Sequence, residues 1–211
     1  MEGAYDAGTG KMYDSLRTNS LIPVNQPFNV APWNYSGTDT VSTAVLTVSD
    51  TNAVVDWVLV RYFNPEDSMT LTIPGLVQKD GDVIDGEGGH LKLPNVYQKG
   101  YISIVHRNHL GVMTANTLSL STSSTTYDFT GSASNAFGGS NGINDLGNGY
   151  FGLFSGDFDI NAQIQNTDVT NLLPTIGNSG YLPGDLNMNG QVQNTDLQLK
   201  LYPNLGRGQQ F

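Results

Sequence analysis

AVVDWVLVRYF, residues 53–63, is the stretch on which the fold turns. Valine, tryptophan, leucine, tyrosine and phenylalanine dominate it, and only Asp56 and Arg61 interrupt the apolar run. A short run that is apolar on both faces predicts a strand in the middle of a sheet, covered on each side. Trp57, midway along it, is expected in the core. Outward from this centre, further strand patterns follow one another: STAVLTVS (42–49), SMTLTI (68–73), YISIVHR (101–107) and GYFGLFSG (149–156). NTLSLS (116–121) and TTYDFT (125–130) read as a pair around TSS. Turn clusters such as NPEDS, KDGD and GEGG separate the runs, and no helical period lies between them. Such a series predicts a mainly β chain built as an antiparallel β-sandwich.

The flanks differ in character. Residues 1–40 carry Pro23, Pro27 and Pro32, which block regular ladders, and read as an extended N-terminal arm with one or two edge strands. GSASNAFGGSNGINDLGNG (131–149) reads as a long surface loop. Helix signals occur only near the end, in NTDVTNLL before Pro174 and NTDLQLKLY before Pro203. The expected organisation is a β-sandwich over 1–150 and a distinct C-terminal region over 151–211.

Composition narrows the function. Nine Lys and Arg against nineteen Asp and Glu leave a net charge of −10, which argues against a nucleic-acid or anionic-membrane partner and for divalent cations. With no cysteine there is no disulfide, thiolate metal site or cysteine nucleophile. No apolar run reaches the roughly 18–20 residues of a membrane-spanning helix. MEGAYDAGTG lacks the basic start and apolar stretch of a signal peptide, so the chain reads as cytoplasmic or as a mature portion of something longer. No G-x-S-x-G elbow or phosphate-binding glycine motif occurs, and no enzymatic activity is expected.

The sharpest chemical signal is a repeat. GDFDINAQIQNTDVTNLL begins at Gly156 and GDLNMNGQVQNTDLQLKL at Gly184, an offset of 28 residues. Counted from the first Asp, the copies place oxygen-bearing side chains at positions 1, 3, 5, 7 and 12. These are Asp157, Asp159, Asn161, Gln163 and Asp168, then Asp185, Asn187, Asn189, Gln191 and Asp196. A calcium ion takes six to eight oxygens, and a twelve-residue loop supplies them from side chains at 1, 3, 5 and 12 and the carbonyl at 7. Magnesium, with its stricter octahedron, fits less well. Position 6 wants glycine for a sharp turn; Gly190 supplies it, whereas Ala162 is expected to strain its copy. Ile164 and Val192 are expected to pair across a short bridge between the loops. Two calcium ions are therefore predicted, at affinities weakened by the sparse carboxylates of the second copy.

This loop followed by one short helix, twice, with Asp at position 12, resembles a type I dockerin. The resemblance covers roughly residues 156–206 and implies the ligand roles just given. It also implies a cohesin-like partner, read by the pairs at positions 10 and 11, here Asn166-Thr167 and Asn194-Thr195; otherwise these pairs cap the helices. DWVLVRYF, QKDGDVIDGEG, YISIVHRNHLGVMTA and the opening EGAYDAGTGKMYDSLR resemble a module near the C-termini of large secreted and surface proteins of gliding-type bacteria. That implies an extracellular or cell-surface location, and a structural or adhesive role among neighbouring modules of a surface assembly. Self-association into a filament by strand donation from the arm is a variant.

Three smaller constellations complete the reading. His106 and His109 in HRNH suggest either a transition-metal pair or a hydrogen-bonded turn, and the spacing is not expected to bring the rings together. Asp80, Asp82, Asp85 and Glu87 suggest turns or a further calcium ion. Trp33 with Tyr35 is the candidate platform if the chain binds a glycan.

Overall fold

The computed structural model describes residues 1–93, 99–121 and 123–211. Its centre is the strand that the apolar run predicts. β1 (Tyr5–Asp6) and β2 (Lys11–Met12) form a small hairpin, and β3 (Val54–Phe63) follows. β4 (Thr70–Gln78) and β6 (Lys99–Val105) flank β3 on either side, both antiparallel. β5 (Val83–Ile84) extends the sheet beyond β4, while β7 (Val112–Met113) and β8 (Leu118–Ser119) both pair with β6. The fold is thus mainly β and antiparallel, with short helices only. Val54, Val55, Val58 and Leu59 are all buried, as a strand covered on both faces requires. Pro74 lies in β4 opposite Leu59, beyond the reach of β5, where a missing N–H costs no ladder bond.

The arm is not extended. Prolines keep residues 20–40 out of the ladders, but the apolar residues between them still find the sheet. Leu16 of α1 (Ser15–Thr18), Ile22, Phe28 and Val41 join Trp57 and Leu76 in the main core. Trp57 is buried, and its indole N–H donates to the Pro23 carbonyl at 2.8 Å. Trp33 packs edge-on against Phe28, with ring centroids 5.1 Å apart.

Three local expectations are corrected. STAVLTVS forms α2 (Thr43–Thr47) instead of a strand; Ser42 caps it, and the buried residues are Val41 and Val45, four apart, not the alternating set. TTYDFT forms no strand: Tyr127 donates to the Asn135 carbonyl, and β8 pairs with the start of β6. Thr122, in the turn that was expected to join the two, lies outside the described residues. The stretch 131–149 is not all loop, since its end forms β9 (Asn144–Gly147) in a hairpin with β10 (Tyr150–Gly152). Asn148 and Gly149, at φ +55° and +80°, are the two-residue turn such hairpins favour. The hairpin spans the expected boundary at residue 150.

After β10 the chain enters the repeat. α3 (Asn166–Leu172) follows the first copy, and a π-helix, Asp196–Leu201, follows the second. Ile164, Leu172, Val192, Leu197 and Leu201 form a core of their own, closed by Leu110 and Phe154.

Candidate metal centre

Each loop wraps its backbone around its first and last carboxylates. In the first, the Asp157 carboxylate accepts from the N–H groups of Asn161 at 3.0 Å and Ala162 at 3.2 Å. Asp168 accepts from Phe158 at 2.8 Å, from Asp159 at 3.2 Å and from Gln165 at 2.7 Å. The second loop repeats the pattern 28 residues later. Asp185 accepts from Asn189 at 3.0 Å and Gly190 at 2.8 Å, and Asp196 from Asn187 at 2.9 Å and Gln193 at 2.8 Å. Side-chain oxygens at position 5 accept from position 7 in both, Asn161 from Gln163 and Asn189 from Gln191, each at 2.9 Å. Gln165 and Asp168 also form a capping box that starts α3.

The turn at position 6 is left-handed in both copies, with φ +67° at Ala162 and +89° at Gly190. Position 4 is left-handed as well, at Ile160 and Met188. Two different sequences thus follow one backbone path. Ile164 and Val192 do not bridge to each other. Ile164 exchanges backbone bonds with Gly206 and Arg207 after the second helix, and Val192 with Gly177 and Asn178 after the first. Each loop is clasped by the segment that leaves the other loop's helix, and the two side chains meet only in the shared core.

Asp157, Asp168, Asp185 and Asp196 are buried. Burial and the neighbouring Asp168 push the Asp157 carboxyl up to about 7. Burial pushes Asp185 up to about 6, against the opposing pull of the Gly190 N–H and of Arg107. Asp159 and Asp196 are also raised, chiefly by desolvation. One carboxylate oxygen each from Asp157, Asp159 and Asp168 lies within 4.8 Å of the others. Oxygens 2.3–2.6 Å from a common calcium ion have that spread, so the cluster could hold a metal ion. Asn187 and Asn189 of the second loop face an open cavity of about 260 Å³, which they line with Tyr5, Tyr13 and Lys200.

The other candidates resolve differently. Asp85 accepts from Glu87 at 3.0 Å and Gly89 at 2.8 Å, and Asp80 from Asp82 at 3.3 Å, as turn residues do. Among the described residues no further group of three Asp, Glu, His or Cys side chains converges, and the second loop contributes only two carboxylates, Asp185 and Asp196.

The HRNH rings do meet, with Nδ1 atoms 3.1 Å apart, because the turn after β6 folds them together in the interior. Hydrogen bonds account for the pair. Gly3 N–H donates to His109 Nε2 at 3.1 Å, so the proton of His109 sits on Nδ1, which faces Asn108 Oδ1 at 2.8 Å and His106 Nδ1. His106 Nε2 then donates to Asp56 Oδ2 at 3.1 Å. Both rings are neutral in this chain of donors, and burial lowers both histidines below their ordinary value.

Asp56 also accepts from Arg107 Nε at 2.9 Å and from the Tyr181 hydroxyl at 2.7 Å. Burial alone would raise its carboxyl; Arg107 and His106 hold it down at about 2. Arg107 stacks over the Tyr181 ring at 4.4 Å and donates to the Leu182 carbonyl. Asp56 and HRNH therefore join the sheet to the approach of the second loop. Asp56 inside an apolar run and the hydrogen-bonded-turn reading of HRNH were the sequence signals for this joint, and neither named the partner segment.

The class defined by fold and site is a mainly β chain with a tandem acidic-loop tail. Comparison with known protein families finds no matching family model, and no curated protein or solved structure matches the chain either. No helix among the described residues is long and apolar enough to cross a membrane.

Proposed function

We propose that this is a non-catalytic extracellular or cell-surface structural module whose dockerin-like tail holds two calcium ions, one in each loop. The observation that carries this reading is the cluster of Asp157, Asp159 and Asp168 oxygens in the first loop, together with a second loop that follows the same backbone path and buries Asp185 and Asp196. Buried like charges this close favour a divalent counter-charge. The tail then serves as a calcium-braced clasp on the β-part, in keeping with the surface-protein module that the sandwich motifs resemble. Calcium titration followed by thermal melting tests it. Calcium should raise the melting temperature and chelator should reverse the rise, because an ion that binds only the folded chain stabilises it by mass action. A melting temperature indifferent to millimolar calcium would remove the proposal.

A second reading, a docking module for a cohesin-like protein, is favoured by the exposure of Asn166, Thr167, Asn194 and Thr195 at the helix starts. Replacing both pairs with alanine should then abolish capture of that partner while the calcium-dependent melting is unchanged.

A further inference from the structure

We infer that Asn108 is a positioning residue that couples the two loops, so that an ion in one strengthens binding in the other; this rests on the calcium reading above. Asn108 is fully buried in the turn after β6. Its carbonyl accepts from the Gly156 N–H at 3.0 Å, immediately before Asp157. Its side-chain amide donates to the Asp185 carbonyl at 3.0 Å and the Pro183 carbonyl at 2.9 Å. Gly156 and Gly184 are equivalent points of the repeat, so one residue from outside the tail grips the starts of both loops.

The grip is rigid. The His109 ring holds Asn108 Oδ1, and Gly3 and the His106–Asp56 pair hold that ring. The amide orientation is thereby set, with both N–H groups facing the second loop. Ordering Asp185 around an ion restrains Asn108, and Asn108 restrains Gly156 and with it Asp157. The shared apolar core links the middles of the loops; Asn108 links their first ligands.

Calorimetric calcium titration of the full chain tests this in a double-mutant cycle. With Asn108 present, disabling the second loop by Asp196→Asn should weaken calcium binding to the first by about tenfold, within the usual range of coupling between sites. Asp168→Asn should weaken the second loop by the same factor, since coupling is reciprocal. In the Asn108→Ala background both effects should shrink to about twofold or less. Val60→Ala in β3, a comparable loss of stability, should leave the coupling intact, which separates positioning from mere folding. Should Asn108→Ala not fold, hydrogen exchange on the Asp168→Asn chain decides instead. Calcium bound in the second loop should slow exchange of the Asn161 and Ala162 amides by several-fold. Two sites that bind independently, or coupling that survives Asn108→Ala, would overturn the inference and leave the calcium reading standing. No calcium heat in the unmodified chain would overturn both.

Discussion

Ala162 occupies a backbone conformation that suits glycine, at φ +67°, where its counterpart in the second loop is Gly190. A Cβ in the left-handed region costs roughly 1–2 kcal/mol, and glycine returns part of that gain as unfolded-state entropy. Ala162→Gly should therefore raise stability by about 1 kcal/mol in chemical denaturation. Asp56 is the opposite case, a buried charge serving Arg107, His106 and Tyr181 at once. Asp56→Asn leaves the buried guanidinium without its counter-ion and should cost about 3–5 kcal/mol, measured as a lower denaturation midpoint. Both residues were visible in the sequence, Ala162 as a departure from the loop pattern and Asp56 as a polar break in an apolar strand. Only the first disclosed its consequence, because backbone conformation is local, whereas Asp56 and Arg107 are 51 residues apart.

At the scale of elements, the loops and the histidine turn should answer to pH with opposite signs. An unfolded carboxyl titrates near 4, whereas the ion-free folded loops keep protons on Asp185 to about 6 and on Asp157 to about 7. Between those limits the folded state binds more protons than the unfolded, so ion-free stability falls as pH rises through about 4–7. Calcium competes with those protons. The rise in melting temperature on adding calcium should accordingly be larger at pH 7.5 than at pH 5, and the same increment at both would contradict the assignment. His106 and His109 are lowered, so the folded state binds fewer protons than the unfolded around and below about 6.5. Their contribution is full at higher pH and is lost on acidification. Protonating either ring sets donor against donor, at Gly3 for His109 and between the two Nδ1 atoms for His106. In saturating calcium above pH 5, His109→Gln should flatten the acid side of the melting profile.

At the scale of the whole molecule, the N-terminal residues and the C-terminal turns are tied together. Glu2 accepts from Ser155 N–H at 3.0 Å and Asn204 Nδ2 at 2.7 Å, and Lys200 donates to the Glu2 carbonyl at 3.1 Å, so the first residues are fastened to the last turns. Arg107 and Asn108 fasten the sheet to the second loop. Scanning calorimetry should therefore show one cooperative transition that calcium shifts as a unit; two peaks, with only one moved by calcium, would mean that the tail melts alone.

By itself, the sequence determined what depends on near neighbours. The apolar period placed β3 at the centre of an antiparallel, mainly β fold, and the 28-residue repeat marked ten oxygen-bearing positions on two loops. Tertiary structure decided the rest. It turned STAVLTVS into a helix whose core contact comes through Val45, with Val41 buried just before it, and it crossed the loop pairings at Ile164 and Val192. It also brought Asp56, the histidine turn and Tyr181 together. Short-range pattern reports which faces are apolar; it cannot report which distant segment covers them, since that depends on packing the whole chain around one interior.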